Sequence, residues 1–319
     1  MSIQSEEAFL SLIDEHFATD SAALELGRGD DCAVLSQGGP FCVSSDLFLE
    51  DIHFRRSYFS PQDIGYKALA VNVSDIAAMG GRPLAFTMDL MIPSGLDRSF
   101  WEKFFSGMAA LARQNDMPLA GGDLSRSDKL GVSISIWGTP GPSGRFIPRT
   151  GGNPGDVLFV CGEPGLARAG LSLLEKDGIK AAETFPQAVQ AHLRPKPKTM
   201  VANLLSAAGT SSLMDVSDGL ARDLPRLLGS KPGADLTVSP DMIHDEVIRF
   251  AEQTDVTAED VFMVGGEDYA LLGTAAPEAF KSKILTIPGV RALGRINDSG
   301  TITVNGTPFT LNGFDHFDA

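Results

Sequence analysis

Cysteine is scarce, with three in 319 residues: Cys32, Cys42 and Cys161. They show no C-x-x-C spacing, which excludes a disulfide framework and a clustered thiolate metal site. Each lies in an apolar stretch that reads as strand, where burial raises a thiol pKa and keeps it inert, so they are read as small core residues. Positive charge is also short, 26 Lys and Arg against 41 Asp and Glu, for a formal net charge of −15. That balance excludes a nucleic-acid partner, because displacing counterions from a phosphate backbone takes clustered Lys and Arg. No apolar run reaches the length of a membrane span. The first residues carry Glu6, Glu7, Asp14 and Glu15 where a secretory signal needs basic residues and an apolar run, so the expectation is a cytoplasmic protein without a membrane partner. Two nucleotide signatures are missing as well, the G-x-x-x-x-G-K-[ST] phosphate loop and the H-R-D and D-F-G elements of protein kinases.

What is present is plentiful glycine and proline, 34 and 19 residues, which punctuate short alternating elements. The patterning predicts helices over 5–17, 61–79 and 98–114, and strands near 33–35, 41–45, 84–91, 118–120 and 130–137. Ser60, Pro61 and Asp63 give the second helix a capped start, and Gly80-Gly81 before Pro83 a stop. The stretch T-P-G-P-S-G-R-F-I-P-R-T-G-G-N-P is too rich in Pro and Gly for a regular element. It places a boundary between a domain of residues 1–140 and one of 150–319. The second half repeats the style, with strands near 157–161, 212–216, 234–238, 269–274 and 301–304 and helices near 166–175, 198–207 and 220–228. The class is mixed α/β (α+β).

The chemistry is concentrated in aspartates at strand ends and Gly-rich turns: Asp30 and Asp31 in G-R-G-D-D, Asp46 in V-S-S-D, Asp123 in A-G-G-D, and Asp215 and Asp218 in M-D-V-S-D-G. Loops at strand ends commonly hold ligands, and glycine lets the backbone approach them. Asp75 stands apart, inside the apolar helix K-A-L-A-V-N-V-S-D-I-A-A-M, where an ionised carboxylate needs a cation. Asn72 lies one turn earlier on the same face. Magnesium suits such a set, since it takes one or two carboxylates and shares its shell with water and phosphates. For a single site the alternative is a local backbone cap. Arg149, in I-P-R-T-G, is the best basic candidate for a phosphate contact, with a plain surface arginine as its alternative.

Six segments, G-R-G-D-D-C-A-V-L, S-S-D-L-F-L-E-D-I-H-F, D-I-G-Y-K-A-L-A-V-N-V-S-D-I-A-A-M-G, M-D-V-S-D-G-L, G-G-E-D-Y and G-F-D-H-F, resemble the thiamine-monophosphate kinases along nearly the whole chain. The aspartates are shared with the wider aminoimidazole ribonucleotide synthetase-like superfamily, but E-D-I-H-F and G-F-D-H-F are not. The resemblance implies two α/β domains of that type, an N-terminal sheet closing into a barrel across a homodimer, and ATP in the cleft. It implies metal ligands at Asp30, Ser45, Asp46, Asp75, Asp123 and Asp215, with Asp218 on a further magnesium ion. Nucleotide contacts are implied at Phe105, Gly122, Asp123, Arg149 and Ser217, and thiamine phosphate contacts at His53, Glu267 and Phe314. Phe105 stands where a tyrosine can occur, and D-L-S-R-S-D-K-L lacks the threonine common after the aspartate.

The implied activity is magnesium-dependent transfer of the γ-phosphate of ATP to thiamine monophosphate. The acceptor carries a cationic thiazolium and an aromatic pyrimidine, which suit the charge of Glu267 and the π-face of Phe314, a cation–π contact being worth roughly 0.5–2 kcal/mol. A phosphomonoester with a second pKa near ~6 is already largely dianionic at neutral pH, so no protein base is expected and transfer is direct and in line. The alternatives are another ATP-using member of the superfamily and a catalytically silent thiamine-phosphate or nucleotide binder.

Overall fold

The structure, a computed structural model, describes residues 6–17, 21–26, 34–35, 38–229 and 233–309. The chain divides into two units, Met1–Ile76 with Arg82–Thr139 and Ala77–Gly81 with Pro140–Ala319.

The first unit runs α1 (Glu6–His16), β1 (Leu24–Leu26), β2 (Val34–Leu35), β3 (Cys42–Leu49), α2 (Pro61–Ala78), β4 (Gly81–Ile92), α3 (Arg98–Gln114), β5 (Leu119–Arg126) and β6 (Gly131–Pro140), the residues joining α2 to β4 counting with the second unit. The capped start of α2 forms as the sequence predicts: the Asp63 N–H donates to Ser60 Oγ at 3.2 Å, and the Ser60 hydroxyl donates to the Asp63 carboxylate at 2.5 Å. Apolar almost all round, α2 is buried along its length, with Ile64, Ala68, Leu69, Ala70, Val73 and Ile76 in the core. Gly65 lets α3 approach, since a Cβ there would lie 2.0 Å from the Phe104 carbonyl oxygen. A four-stranded sheet follows the order β3-β6-β4-β5, with β3 antiparallel to β6 and β4 parallel to β5.

Two expectations need correcting here. The strand near 118–120 continues to Arg126, so Gly121, Gly122 and Asp123 lie within β5 and not at a turn after it. Gly122 permits this, because a Cβ would sit 1.8 Å from the Met88 carbonyl oxygen of β4. Phe105, expected against adenine, is fully buried, edge-on to Phe9, Phe17 and Phe104 at centroid distances of 5.9, 6.2 and 5.3 Å. The 3.6-residue period of α3 places it on the core stripe with Trp101, Phe104 and Met108, so its ring anchors α1 to α3 and offers no face to a base.

The second unit comprises β7 (Val157–Cys161), α4 (Leu166–Asp177), α5 (Pro186–Leu193), α6 (Thr199–Ala208), β8 (Ser212–Val216), α7 (Leu220–Leu228), β9 (Gly233–Leu236), α8 (Asp245–Ala251), α9 (Ala258–Val264), β10 (Ala270–Ala275), α10 (Pro277–Ser282), β11 (Val290–Asn297), β12 (Ile302–Val304) and β13 (Thr307–Pro308). Its sheet has the order β13-β12-β9-β11-β7-β10-β8, antiparallel except where β12 meets β9. Strands β7, β8 and β10 are buried at every residue; β7 is accordingly a continuous apolar run, whereas β8 carries Ser212 and Asp215 and β10 carries Thr274 among apolar residues. Strand β11, central in the sheet, escapes the sequence reading: V-R-A-L-G-R-I-N carries two arginines and a register shift between Ala292 and Gly294, which break the alternation.

Candidate active site

In the first unit the period-2 alternation of β3 turns Ser44 and Asp46 toward the half-buried side and Val43, Ser45 and Leu47 toward solvent. Asp75 comes to the buried side from α2, and the Ser44 hydroxyl donates to its carboxylate. Asp46 shares a hydrogen bond with Asp75. Burial, then the charge of Asp75, pushes the Asp46 carboxyl up to about 6, the behaviour of two acids that cannot both ionise in one enclosed place. The Asn72 Nδ2 donates to the Ala68 carbonyl at 3.0 Å, and its Oδ1, buried, has no hydrogen-bond partner among the described residues. Ser45 instead faces Ser135 of β6, hydroxyl to hydroxyl at 3.1 Å. Ser45 thus lies on the other side of the strand from Asp46, and Ser44, which is not among the expected ligands, is the hydroxyl on the Asp75 carboxylate. Asp123 stands exposed on β5, paired in register with Asp89 and accepting from the Ser125 hydroxyl at 3.3 Å. His53 closes the turn after β3. Its Nδ1 accepts from the Leu49 N–H at 3.0 Å and its ring stacks on Phe48 at 5.9 Å.

In the second unit, β8 and β10 pair with Val216 opposite Ala270, so the S-D-G turn leaving β8 and the G-G-E-D-Y turn entering β10 lie at one end of the sheet. The Glu267 and Tyr269 N–H groups donate to the Ser217 and Val216 carbonyls at 2.7 and 3.0 Å. A Cβ on Gly266 would stand 2.6 Å from the Ser217 carbonyl oxygen, so the two turns touch through backbone. Asp215 is buried in β8, opposite Leu271. Asp218 meets Arg226 at 2.7 Å and Arg222 at 3.8 Å. Asp223, fully buried, accepts from the Ser217 and Asp218 N–H groups at 3.0 Å each and meets Arg226 at 2.8 Å. Burial raises its carboxyl pKa despite these partners. Asp268 binds the first turn of α4, accepting from the Gly165 and Ala167 N–H groups at 2.7 and 2.8 Å. Burial, with Glu267 and Glu163 adding their charge, still pushes its carboxyl up to about 8. Asp223 and Asp268 do not stand out in the sequence. Their only signal is position: one lies three residues into the helix after S-D-G, the other in G-G-E-D-Y itself.

Residues 29–139 match the AIR synthase related protein, N-terminal domain, and residues 153–306 the corresponding C-terminal domain. The chain is 37% identical over 266 residues to the thiamine-monophosphate kinase of Bacillus subtilis (strain 168), a match covering 82% of this chain and 80% of that one. The chain belongs to the thiamine-monophosphate kinase family. It superimposes on the thiamine-monophosphate kinase of Stenotrophomonas maltophilia K279a with a TM-score of 0.82 at 31% identity, over 95% of this chain and 97% of that one. A structure of AaThiL complexed with AMPPCP and TMP is similar over 99% of this chain and 100% of its own, with a TM-score of 0.78 at 26% identity. The thiamine-monophosphate kinases are phosphotransferases, and the two-unit mixed α/β architecture is of the AIR synthase type.

Within the first unit, the structure therefore brings Asp46 to Asp75. Within the second, it brings Ser217 to Glu267, while the Asp218 carboxylate meets Arg226. Arg149 is exposed in the second unit. Asp30 and Phe314 lie outside the described residues. No three His, Cys, Asp or Glu converge into a metal cluster among the described residues, and none of their helices is long and apolar enough to cross a membrane.

Proposed function

We propose that this chain transfers the γ-phosphoryl group of ATP directly, and in line, to thiamine monophosphate in a magnesium-dependent reaction. The observation that carries the metal reading is the Asp46–Asp75 contact: two carboxyls and the Ser44 hydroxyl, all hard oxygen donors, meet where ionising both acids requires a cation. The donor set fits magnesium, and the buried Asn72 Oδ1 on the same helix face supplies a further oxygen in want of a partner. Asp46 and Asp75 would hold the ion with Ser44 beside them, and Asp30, Ser45, Asp123, Asp215 and Asp218 are the further proposed ligands. When bound, magnesium supplies neutralisation of the phosphate charges.

The chain's own residues bind and orient. Arg149, Asp123, Gly122 and Ser217 serve the nucleotide, and the backbone approach at Gly122 suits that task. Glu267, His53 and Phe314 serve the acceptor, and the carboxylate of Glu267 offers a charge opposite to that of the thiazolium. The relative solved with AMPPCP and TMP, similar over nearly all of both chains, supports ATP and TMP as the substrates. The outward residues of β3, Val43 and Leu47, are 61% and 53% exposed, and Phe41 just before the strand is 56% exposed, which supports a sheet face that closes into a barrel across a homodimer. Cytoplasmic residence accords with the composition.

ADP formation measured with ATP plus thiamine monophosphate, ATP plus free thiamine, and ATP alone, each with and without magnesium, tests the reading. ADP formation is expected only with thiamine monophosphate and magnesium together. Faster turnover of free thiamine, or equal turnover without a divalent ion, would refute it.

A further inference from the structure

The G-G-E-D-Y turn is held in a conformation that its residues do not choose. Glu267 and Tyr269 both have left-handed backbones, φ +63° and +48°, although neither is glycine. Such conformations persist where the surroundings over-determine them, and they concentrate at functional sites. Three anchors fix this one: the N–H groups of Glu267 and Tyr269 on the β8 end, the Asp268 carboxylate on the first turn of α4, and a contact to a histidine.

That histidine is His192, in the last turn of α5, where its Nδ1 lies 3.1 Å from Glu267 Oε2. Its side chain is 1% exposed, whereas that of Glu267 is 29% exposed. One end of the pair is thus inside the fold and the other reaches solvent. The helix carrying His192 is itself fixed. The Ala188 N–H donates to the buried Glu246 carboxylate at 2.7 Å, and a Cβ on Gly170 of α4 would lie 2.0 Å from the Ala188 carbonyl oxygen. A rigid helix therefore presents an imidazole to a carboxylate whose own backbone is strained into place.

We propose that His192 is a positioning residue, its Nδ1–H holding the Glu267 carboxylate in the direction that meets the organic cation of the acceptor. A carboxylate is acceptor-only, so the imidazole must donate, and a neutral Nδ1–H tautomer leaves the negative charge of Glu267 intact for the ligand. This rests on the reading of Glu267 as an acceptor contact, which is a proposal about the same site.

Steady-state kinetics with each substrate varied in turn test both, on Glu267→Gln, His192→Leu, His192→Asn, His192→Gln and the Glu267→Gln/His192→Leu double variant. Asparagine can place an N–H where Nδ1 stands, and glutamine extends past it. Glu267→Gln should raise the KM for thiamine monophosphate at least about tenfold with that for ATP unchanged, the size of a charge-assisted hydrogen bond. His192→Leu and His192→Gln should raise the same KM about tenfold, His192→Asn should stay within about threefold of the parent, and His192→Leu should add less than about twofold to Glu267→Gln. If Glu267→Gln leaves the acceptor KM unchanged, the assignment of Glu267 falls and the positioning role with it. If Glu267→Gln raises it but Asn and Gln at 192 behave alike, or if the His192→Leu effect is undiminished in the double variant, Glu267 stands and the positioning role is overturned. Should His192→Leu not fold, the Asn and Gln contrast alone decides.

Discussion

Asp46 and Asp75 show how a pair of residues acquires a chemistry neither has alone. One is the fifth residue of an eight-residue strand and the other lies near the end of a buried helix, and their contact makes ionising both acids at once costly. Asp75→Asn should lower kcat about 100-fold or more at saturating magnesium with the fold intact by circular dichroism, and so should Asp215→Asn. Near-parental turnover in both variants would remove them from the reaction. The same contact predicts a pH dependence in protein stripped of divalent ions with EDTA. Asp46 keeps its proton up to about 6 in the fold, against 3.8 for an ordinary aspartate. The folded state then binds the extra proton, so the stability tied to this group is fully present below about pH 4 and is lost as pH rises through about 6. Urea midpoints between pH 4 and 7 should fall more steeply for the parent than for Asp46→Asn. Parallel curves would mean that neither burial nor Asp75 raises the Asp46 carboxyl in the fold.

At the scale of elements, the first unit depends on α2 and α3 approaching closely. Gly65→Ala puts a methyl group 2.0 Å from the Phe104 carbonyl oxygen, and backbone cannot yield as a side-chain tip can. A cost of about 1–3 kcal/mol or more is expected, read as a lowered urea midpoint with the m-value unchanged. Gly38→Ala, with nothing within 4 Å of the added carbon, is the control and should stay within about 0.5 kcal/mol. A neutral Gly65→Ala would mean that the helices are further apart than described.

For the whole molecule, the outward face of β3 is the feature that a monomer leaves unexplained. Isolated exposed apolar residues are ordinary, but Val43 and Leu47 share the outward face of one edge strand, with Phe41 exposed just before it. Sedimentation or light scattering should give the mass of a dimer at micromolar concentration, and Val43→Asp with Leu47→Asp that of a monomer. A parental protein that runs as a monomer would leave this face without the proposed role.

Whatever depends on local patterns was legible before any coordinates. The capped start of α2 follows from Ser60, Pro61 and Asp63, the range of α3 from its 3.6-residue stripe, and β7 from a continuous apolar run. The sequence also marked out the aspartates, because a carboxylate inside apolar sequence is conspicuous by itself. Which of them meet depends on how distant segments pack. Strand alternation puts Ser44 on the carboxylate and turns Ser45 away, a difference of one position that no composition records. Phe105 became a core ring because α1 packs on its stripe, a fact about a neighbour far along the chain. His192 of α5 and Glu267, in the turn entering β10, meet only in the folded chain, and neither residue carries a local sign of the other. Patterns read from sequence report on the nearest few residues, whereas a site is made where distant segments converge.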